Sequence, residues 1–432
     1  MANKVYRLCL LALILCLLAG CDSSGKDWLG DTVPGEDPVV RLTFWGGVPA
    51  EAGPQEVVDR WNAINPGIQV EYVRYVNDNS GNMKLDTALM TGQSIDLFAS
   101  YTIPRLESRV LAGTALALNQ FDDYDIDEMM GPEAEEWQID GRYYAIPTKK
   151  NRHFFWLNKD LLDQAGLPVP VDWTWEDVRY YARILQDHAD WGMVQTLREF
   201  HYPMDGSMSL LGYVKPDGKS NLDHAYIRSY LQSMYEMMHE DRTTPQYGDQ
   251  IANKMPVEPI FLSGQAGLFF GGEWIFRFAN NTEQYPRSFK IAFAPEPRIE
   301  EEQTGYSALG GLGDAISIHA RSPHPKEAWA FLKWYADEGM LPTISGGRIP
   351  ASRAFDRDQA LKLLLGDREH LYDVPSLLRV LGDDYPTYQL KVDQQVIDIR
   401  REEYEKYLMG LQSLDETMER MAMRHNQLLS ET

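Results

Sequence analysis

"VVRLTFWGGVPAEAGPQEVVDRWNAINPGIQVEYVRYV", residues 39–76, sets the fold class. Val39 to Trp45 is a β-branched and aromatic run broken by Gly46-Gly47, which reads as a strand and a turn. From Gln55 the period changes: Val57, Val58 and Trp61 share one side of a helix, and Pro66-Gly67 stops it. Ile68 to Val76 alternates through Val70 and Tyr72 as a second strand. Met83 to Met90 predicts a short helix, and "SIDLFAS" around Asp96 a third strand. Strand, helix, strand, helix, strand implies an α/β unit with a largely parallel sheet. Such sheets hold ligands beyond the carboxyl ends of their strands, which singles out the loops after Trp45 and Phe98.

Toward the N-terminus, residues 1–20 carry Lys4 and Arg7 and then the apolar run Leu8 to Ala19. As a helix that run spans about 18 Å against a hydrocarbon core of roughly 30 Å, so it reads as a secretory signal. Its end, Leu18-Ala19-Gly20-Cys21, resembles the lipobox of bacterial lipoproteins, which implies cleavage before Cys21 and lipidation of its thiol. All three cysteines, Cys9, Cys16 and Cys21, lie here, so the exported part has no intramolecular disulfide, thiolate metal site or catalytic cysteine. Residues 21–38 read as the lipidated cysteine and a flexible spacer rich in Gly, Pro, Asp and Ser. The balance of 41 Lys plus Arg against 64 Asp plus Glu, a formal charge of -23, repels phosphate backbones and argues against a nucleic-acid partner.

Toward the C-terminus, "DGRYYAIPTKKNRHFFWLNKDLLDQAGLP" (140–168) reads as a strand leaving the first unit, a second strand "RHFFWLN" and a helix over Lys159 to Ala165. Helices follow over Trp175 to Asp187 and Tyr226 to Glu240, then a buried strand Ala266 to Phe270 and a helix opening near Glu273. Strands in "FKIAFAPEP" and "YSALGGLGDAISIHA" precede an amphipathic helix "PKEAWAFLKWYADEG" and a mostly helical tail from Tyr388 to Leu429.

Eight segments in this order carry a resemblance: "LTFW" (42–45), "NPGIQVE" (65–71), "IDLF" (95–98), "GRYYAIPTK" (141–149), "WLNKDLLDQAGLP" (156–168), "TWEDV" (174–178), "GQAGLFFGGEW" (264–274) and "SPHPKEAWAFLKW" (322–334). The chain resembles, from about residue 39 onward, the extracellular solute-binding proteins of bacterial ABC importers, in the large sugar-binding family that includes maltose-binding protein. The resemblance implies an α/β, two-lobe, periplasmic-binding-protein-like type II fold with discontinuous lobes joined by a hinge. Lobe one is expected over 39–149 plus 293–347 and lobe two over 150–292 plus 348–432, with crossings at Lys149–Asn151, Ala292–Phe293 and Gly347–Pro350. It further implies capture of a carbohydrate, an oligosaccharide, by lobe closure and delivery to the transmembrane subunits of an ABC permease. No catalytic residue, cofactor or metal is expected, and the chain is expected to be a monomer. The lipidated Cys21 would hold it at the extracellular face of the cell membrane in a Gram-positive type of cell, or in the periplasm of a Gram-negative one.

Sugars present apolar ring faces edged by hydroxyls, so a site combines aromatic platforms with fixed polar groups. Trp274 follows a buried strand, at the position where the resemblance implies an aromatic that stacks on a sugar, and Glu273 and Gly272 adjoin it. Trp45 ends the first strand and either faces the ligand or packs under its loop; Tyr101 follows the third strand. Tyr306 near the hinge, Arg348 as a donor, and Tyr385 with Tyr388 from the C-terminal region complete the set, while Asp96 reads as structural. Where maltose-binding protein has an Asp-Lys pair this chain has Val48-Pro49, so polar contact from that loop falls to Glu51 or is absent.

Two rivals remain. An importer-linked binder of a non-sugar solute shares the architecture, and an acidic sugar would engage Arg152, Arg198 or Arg348. An exported glycoside-acting enzyme would need two carboxylates across a cleft; Glu133, Glu135 and Glu136 read instead as a solvated face. His153, His188, His201 and His319 have no metal-ligand spacing, and Ser209 sits in no nucleophile elbow.

Overall fold

The computed structural model describes residues 39–303, 308–382, 387–388 and 392–431. The signal segment and spacer, Cys21, Tyr306 and Tyr385 lie outside the described residues. Arg41–Thr432 is a compact unit.

β1 (Val40–Gly46) leads through a 3-10 turn, Ala50–Ala52, into the helix Pro54–Ile64. Pro54 begins that helix with its φ already fixed, and Pro54, Val57, Val58 and Trp61 form the buried face. The helix is clamped to β2 (Ile68–Arg74) by Asn62, whose amide donates to the Val70 carbonyl (2.9 Å) and accepts the Val70 N–H (2.7 Å). The helix Asn79–Thr91 starts at Asp78, which accepts the Gly81 N–H, and leads to β3 (Leu97–Ser100), parallel to β1 with Phe44 opposite Leu97.

β4 (Ile146–Asn158) runs 13 residues without interruption, which corrects the expectation of two strands here. Its polar centre looks like a break in sequence but is no turn, because the ladder changes partner there without a gap. Ile146 to Arg152 pair with β8 (Ala308–Ile318), and His153 to Leu157 pair with β6 (Ala266–Gly272). β4 thus belongs to two sheets. In the first, the order is β2-β1-β3-β8-β4, with β8 antiparallel to β3, so the sheet is mixed rather than largely parallel. In the second, β4 is followed by β6 and then β5 (Trp191–Gln195), with β7 (Ile291–Ala294) also paired to β4.

The second sheet is covered on both faces, as the alternation along β4 shows. Phe155 and Leu157 pack with Trp175, Tyr230 and Met234, whereas Phe154 and Trp156 pack with Phe261, Phe276 and Phe293. In the first sheet Trp45, Leu85, Leu89 and Phe98 form one cluster, and Phe44 stacks edge-on against Tyr72, Phe331 and Tyr335.

The crossing expected at Ala292–Phe293 is also corrected. β7 pairs with residues 155–158 along its whole length, and the following segment still bonds to the second sheet's neighbourhood through Arg298, whose N–H donates to the Trp173 carbonyl (2.9 Å). Among the described residues, the chain after β7 next joins the first sheet at β8. Near Gly347–Pro350, β9 (Ile349–Pro350) pairs with Lys149 and Lys150 of β4, where Gly313 and Leu312 of β8 also pair. Three chain segments therefore meet at Lys149 and Lys150.

Candidate functional site

β6 is buried throughout and ends at Gly272, where a 3-10 turn, Glu273–Ile275, reverses the chain into the short helix Phe276–Ala279. Glu273, 1% exposed, is turned inward: one carboxylate oxygen pairs with the Lys149 ammonium and the other accepts the Arg152 N–H at 2.6 Å. Both oxygens pin the corner to the crossing strand.

Trp274 is half-buried, and its indole N–H donates to Glu199 at 2.8 Å. Two guanidiniums lie over its ring, Arg198 at 5.2 Å and Arg277 at 5.1 Å from the centroid. Glu199 closes the 3-10 turn Leu197–Glu199 beyond β5, with the His153 ring nitrogen 3.8 Å from its carboxylate. The other His153 nitrogen faces the Leu309 carbonyl at 3.1 Å, and the Glu199 carboxylate lies at ion-pair distance from the first. Burial of His153 opposes its protonation, but the Glu199 hydrogen bond and carboxylate outweigh it and raise its pKa. Burial likewise works against ionised Glu199; the His153 bond and charge, Arg198 and the Trp274 indole overcome it and hold the carboxyl down at about 2. Tyr202 stands edge-on to His153, centroids 4.8 Å apart.

Arg348 follows Gly347, which has φ +85° and whose added Cβ would fall 1.9 Å from the Glu273 carbonyl, so the Arg348 segment lies against the Trp274 corner. Arg348 is buried, its Nε bonding Asp314 at 3.1 Å while Nη1 has no partner among the described residues. Asp314 itself adopts φ +47°, unusual for a residue with a side chain. From the first sheet, Tyr101 is half-buried and its hydroxyl accepts the Gly47 N–H at 2.7 Å, fixing the loop after β1. Trp45, 5% exposed, packs with Tyr75 and Leu85. Helices cover both faces of β1, so the ring supports the loop from beneath, and the ligand-facing alternative for Trp45 is corrected. Glu51 is exposed on the turn after β1. Asp96 holds the Thr43 N–H (2.9 Å) and the Ser322 hydroxyl (2.6 Å), a structural role as expected. Tyr388 lies on β10 (Thr387–Tyr388), paired beside Leu309 of β8.

Sequence reasoning missed Glu199, Tyr202 and Arg277. The first two follow β5, whose "WGMVQ" has no alternation to mark it; the signal available was a polar and aromatic run, "REFHY", after a short apolar stretch. Arg277 stands three positions after Trp274 on a helical turn, a spacing that brings side chains together.

Two sheets thus share one long strand, with polar and aromatic groups gathered where they meet. Residues 46–340 match the family described as bacterial extracellular solute-binding protein. The chain belongs to that family. It is a two-lobe solute-binding protein with discontinuous lobes, and not an enzyme. Among relatives, the arabinooligosaccharide-binding protein of Halalkalibacterium halodurans is 25% identical over 315 residues, 71% of this chain and 68% of that one. The multiple sugar-binding protein of Streptococcus mutans is 21% identical over 353 residues, 77% of this chain and 78% of that one. Among solved structures, the GacH receptor of Streptomyces glaucescens, determined unliganded and with acarbose, superposes with a TM-score of 0.72 at 17% identity, covering 91% of this chain and 99% of that one. An ABC substrate-binding protein of Listeria monocytogenes in complex with cycloalternan gives 0.71 at 20%, with the same coverage. At these identities the structural likeness is one of fold.

Proposed function

We propose that this solute-binding protein captures a carbohydrate, an oligosaccharide, outside the cell and delivers it to an ABC permease. The observation that carries the reading is the Trp274 corner: an aromatic ring, half-buried, ringed by Glu199, Arg198 and Arg277 and set beside the strands that join the two sheets. Such a pairing of an apolar face with fixed donors and acceptors suits a pyranose and its hydroxyls. The names of the relatives, an arabinooligosaccharide-binding and a multiple sugar-binding protein among them, agree with it. Trp274, Tyr101 and Arg348 are the contacts retained from sequence, with Glu51, Tyr306 and Tyr385 as further candidates; Tyr202 and Glu199 join them. Lobe closure bends the chain where β4, β8 and β9 meet, and the crossing first expected at Ala292–Phe293 moves beyond Arg298. A lipid on Cys21 holds the monomeric chain at the outer face of the membrane.

A thermal-shift screen against mono- and oligosaccharides tests this, because a ligand confined to the folded state at 100 times its Kd adds about 2.7 kcal/mol of apparent stability. One saccharide class raising the melting temperature, with the rise lost in Trp274→Ala, is the expected result. No rise with any saccharide refutes the reading.

A further inference from the structure

The chain is strongly acidic, yet the surroundings of Trp274 are basic. Arg198 and Arg277 lie over the indole, Arg348 is buried on the adjoining segment, and Arg74 stands at the exposed end of β2 on the first sheet, close enough to act on Arg277. Three carboxylates nearby are already engaged: Asp314 with Arg348, Glu273 with Lys149, and Glu199 with the Trp274 indole, Arg198 and His153; burial raises the pKa of a further one, Glu258, which favours its neutral form. Arg277 and Arg74 make no ion pair among the described residues, and Arg277 is held only by the rings of Trp274 (5.1 Å) and Phe278 (4.6 Å). Glu258 attracts Arg277 without pairing with it. Burial, followed by the like charges of Arg348 and Arg198, pulls Arg277 down to about 10, so the site strains against its own positive charge.

Closure on a neutral sugar would remove water from these unmatched guanidiniums and offer no counter-charge in return, and burying an uncompensated charge is costly. A carboxylate supplied by the ligand removes that penalty, because guanidinium and carboxylate pair through two parallel hydrogen bonds. We propose that the Trp274 corner is a subsite for the carboxylate of an acidic saccharide, a uronic acid or uronic-acid oligomer, with Arg277 as its principal partner and Arg198 and Arg74 completing the basic rim. The inference rests on the reading of this protein as a saccharide binder and narrows its ligand class.

The test uses the purified full chain and matched pairs of ligands: galacturonic, glucuronic and mannuronic acids and their di- and trisaccharides, each beside its methyl ester, with neutral oligosaccharides and citrate as further probes. Melting shifts find the binders and calorimetry gives their affinities. The expected result is that an acidic saccharide binds, that its methyl ester binds at least about tenfold more weakly, about 1.4 kcal/mol, and that affinity falls as salt rises. Arg277→Gln should remove that preference, so that the acid and its methyl ester bind with equal affinity. If Arg277→Gln does not fold, Arg74→Gln on the exposed end of β2 should reduce the preference for the acid in part. Neutral saccharides binding as well as their acidic counterparts, with Arg277→Gln without effect on either, overturns the proposal and leaves the saccharide reading standing. Citrate binding without any saccharide, or no binding by any sugar, overturns the saccharide reading and this inference with it.

Discussion

Replacing Glu296 by Gln should abolish much of the loss of stability that this protein undergoes between pH 6 and 8. Glu296 follows β7, is 2% exposed and lies near His153 and Leu309, the residue whose carbonyl meets His153. Burial pushes its carboxyl up to about 8, against a smaller opposing pull from His153. The unfolded chain releases that proton near 4.5, so between the two values the folded chain holds one proton more. Stability therefore falls as pH rises, by about 1.4 kcal/mol per pH unit while the difference is complete. Over the whole window the loss approaches about 5 kcal/mol, and between pH 6 and 8, where the folded group becomes half ionised, it is about 2 kcal/mol. His153, whose folded value is raised, adds stability that is present below its unfolded value and fades as pH rises, so a residual slope of the same sign persists in the variant. Glu199, held down at about 2, contributes stability that is present above 4.5 and constant across this range. Urea unfolding at pH 6, 7 and 8, for wild type and Glu296→Gln, measures the difference. Two curves that stay parallel would refute the assignment of Glu296 as a neutral buried acid.

Two further substitutions probe the frame. Gly347→Ala should cost at least about 2 kcal/mol and weaken ligand binding, since the positive φ disfavours a side chain and the added Cβ would displace the Glu273 carbonyl; Gly92→Ala, with a similar φ of +79° and open space around it, should cost about 1 kcal/mol and leave binding intact, as read by melting and calorimetry. Arg109→Ala should destabilise by about 3 kcal/mol, because Arg109, 2% exposed, bonds Asp86 (2.7 Å), Ser100 (2.8 Å) and Asn82 (2.8 Å) between the helix Asn79–Thr91 and β3; an unchanged melting temperature would show that these groups re-pair with water.

The elements that could be read from sequence were those whose burial has a period. β1, β2 and the helix Pro54–Ile64 showed theirs openly, and Thr174 with Asp177 forms the capping box that starts the helix Trp175–Leu185. β5 was invisible because a short strand buried on both faces has no alternation to display. β4 was divided in two because its central Lys-Lys-Asn-Arg run reads as solvent-facing; Lys149 is buried there against Glu273, more than a hundred residues on, and the Arg152 guanidinium bonds Thr387 (2.9 Å), more than two hundred residues on. Trp274 was singled out as a candidate by its place after a buried strand together with the family resemblance. Its partners were not, since Glu199 reaches it from another strand's end and whether a ring meets a sugar or a guanidinium depends on that tertiary meeting.

The same meeting explains a stretch of sequence that read only as a strand. In β8, Gly310, Gly311 and Gly313 stand opposite Arg152, Asn151 and Lys149 of β4, at the place where the two sheets share a strand. A Cβ on Gly313 would lie 2.1 Å from the Asn151 amide, which reaches toward the Lys149 ammonium (2.9 Å). Bulk on β8 there would expel Asn151 and, through Lys149, loosen the Glu273 pin beneath Trp274. The polar side chains of β4 are tied by Glu273 and Glu199 to the second sheet, so β4 from Lys149 to His153 is stiffened toward that lobe. On the proposed closure, bending between the lobes would be taken up on the glycine-bearing side, where the backbone has the freedom and no side chain must repack. On the proposed reading, a ligand contact at Trp274 would be transmitted through one carboxylate, Glu273, to the strand about which the lobes turn.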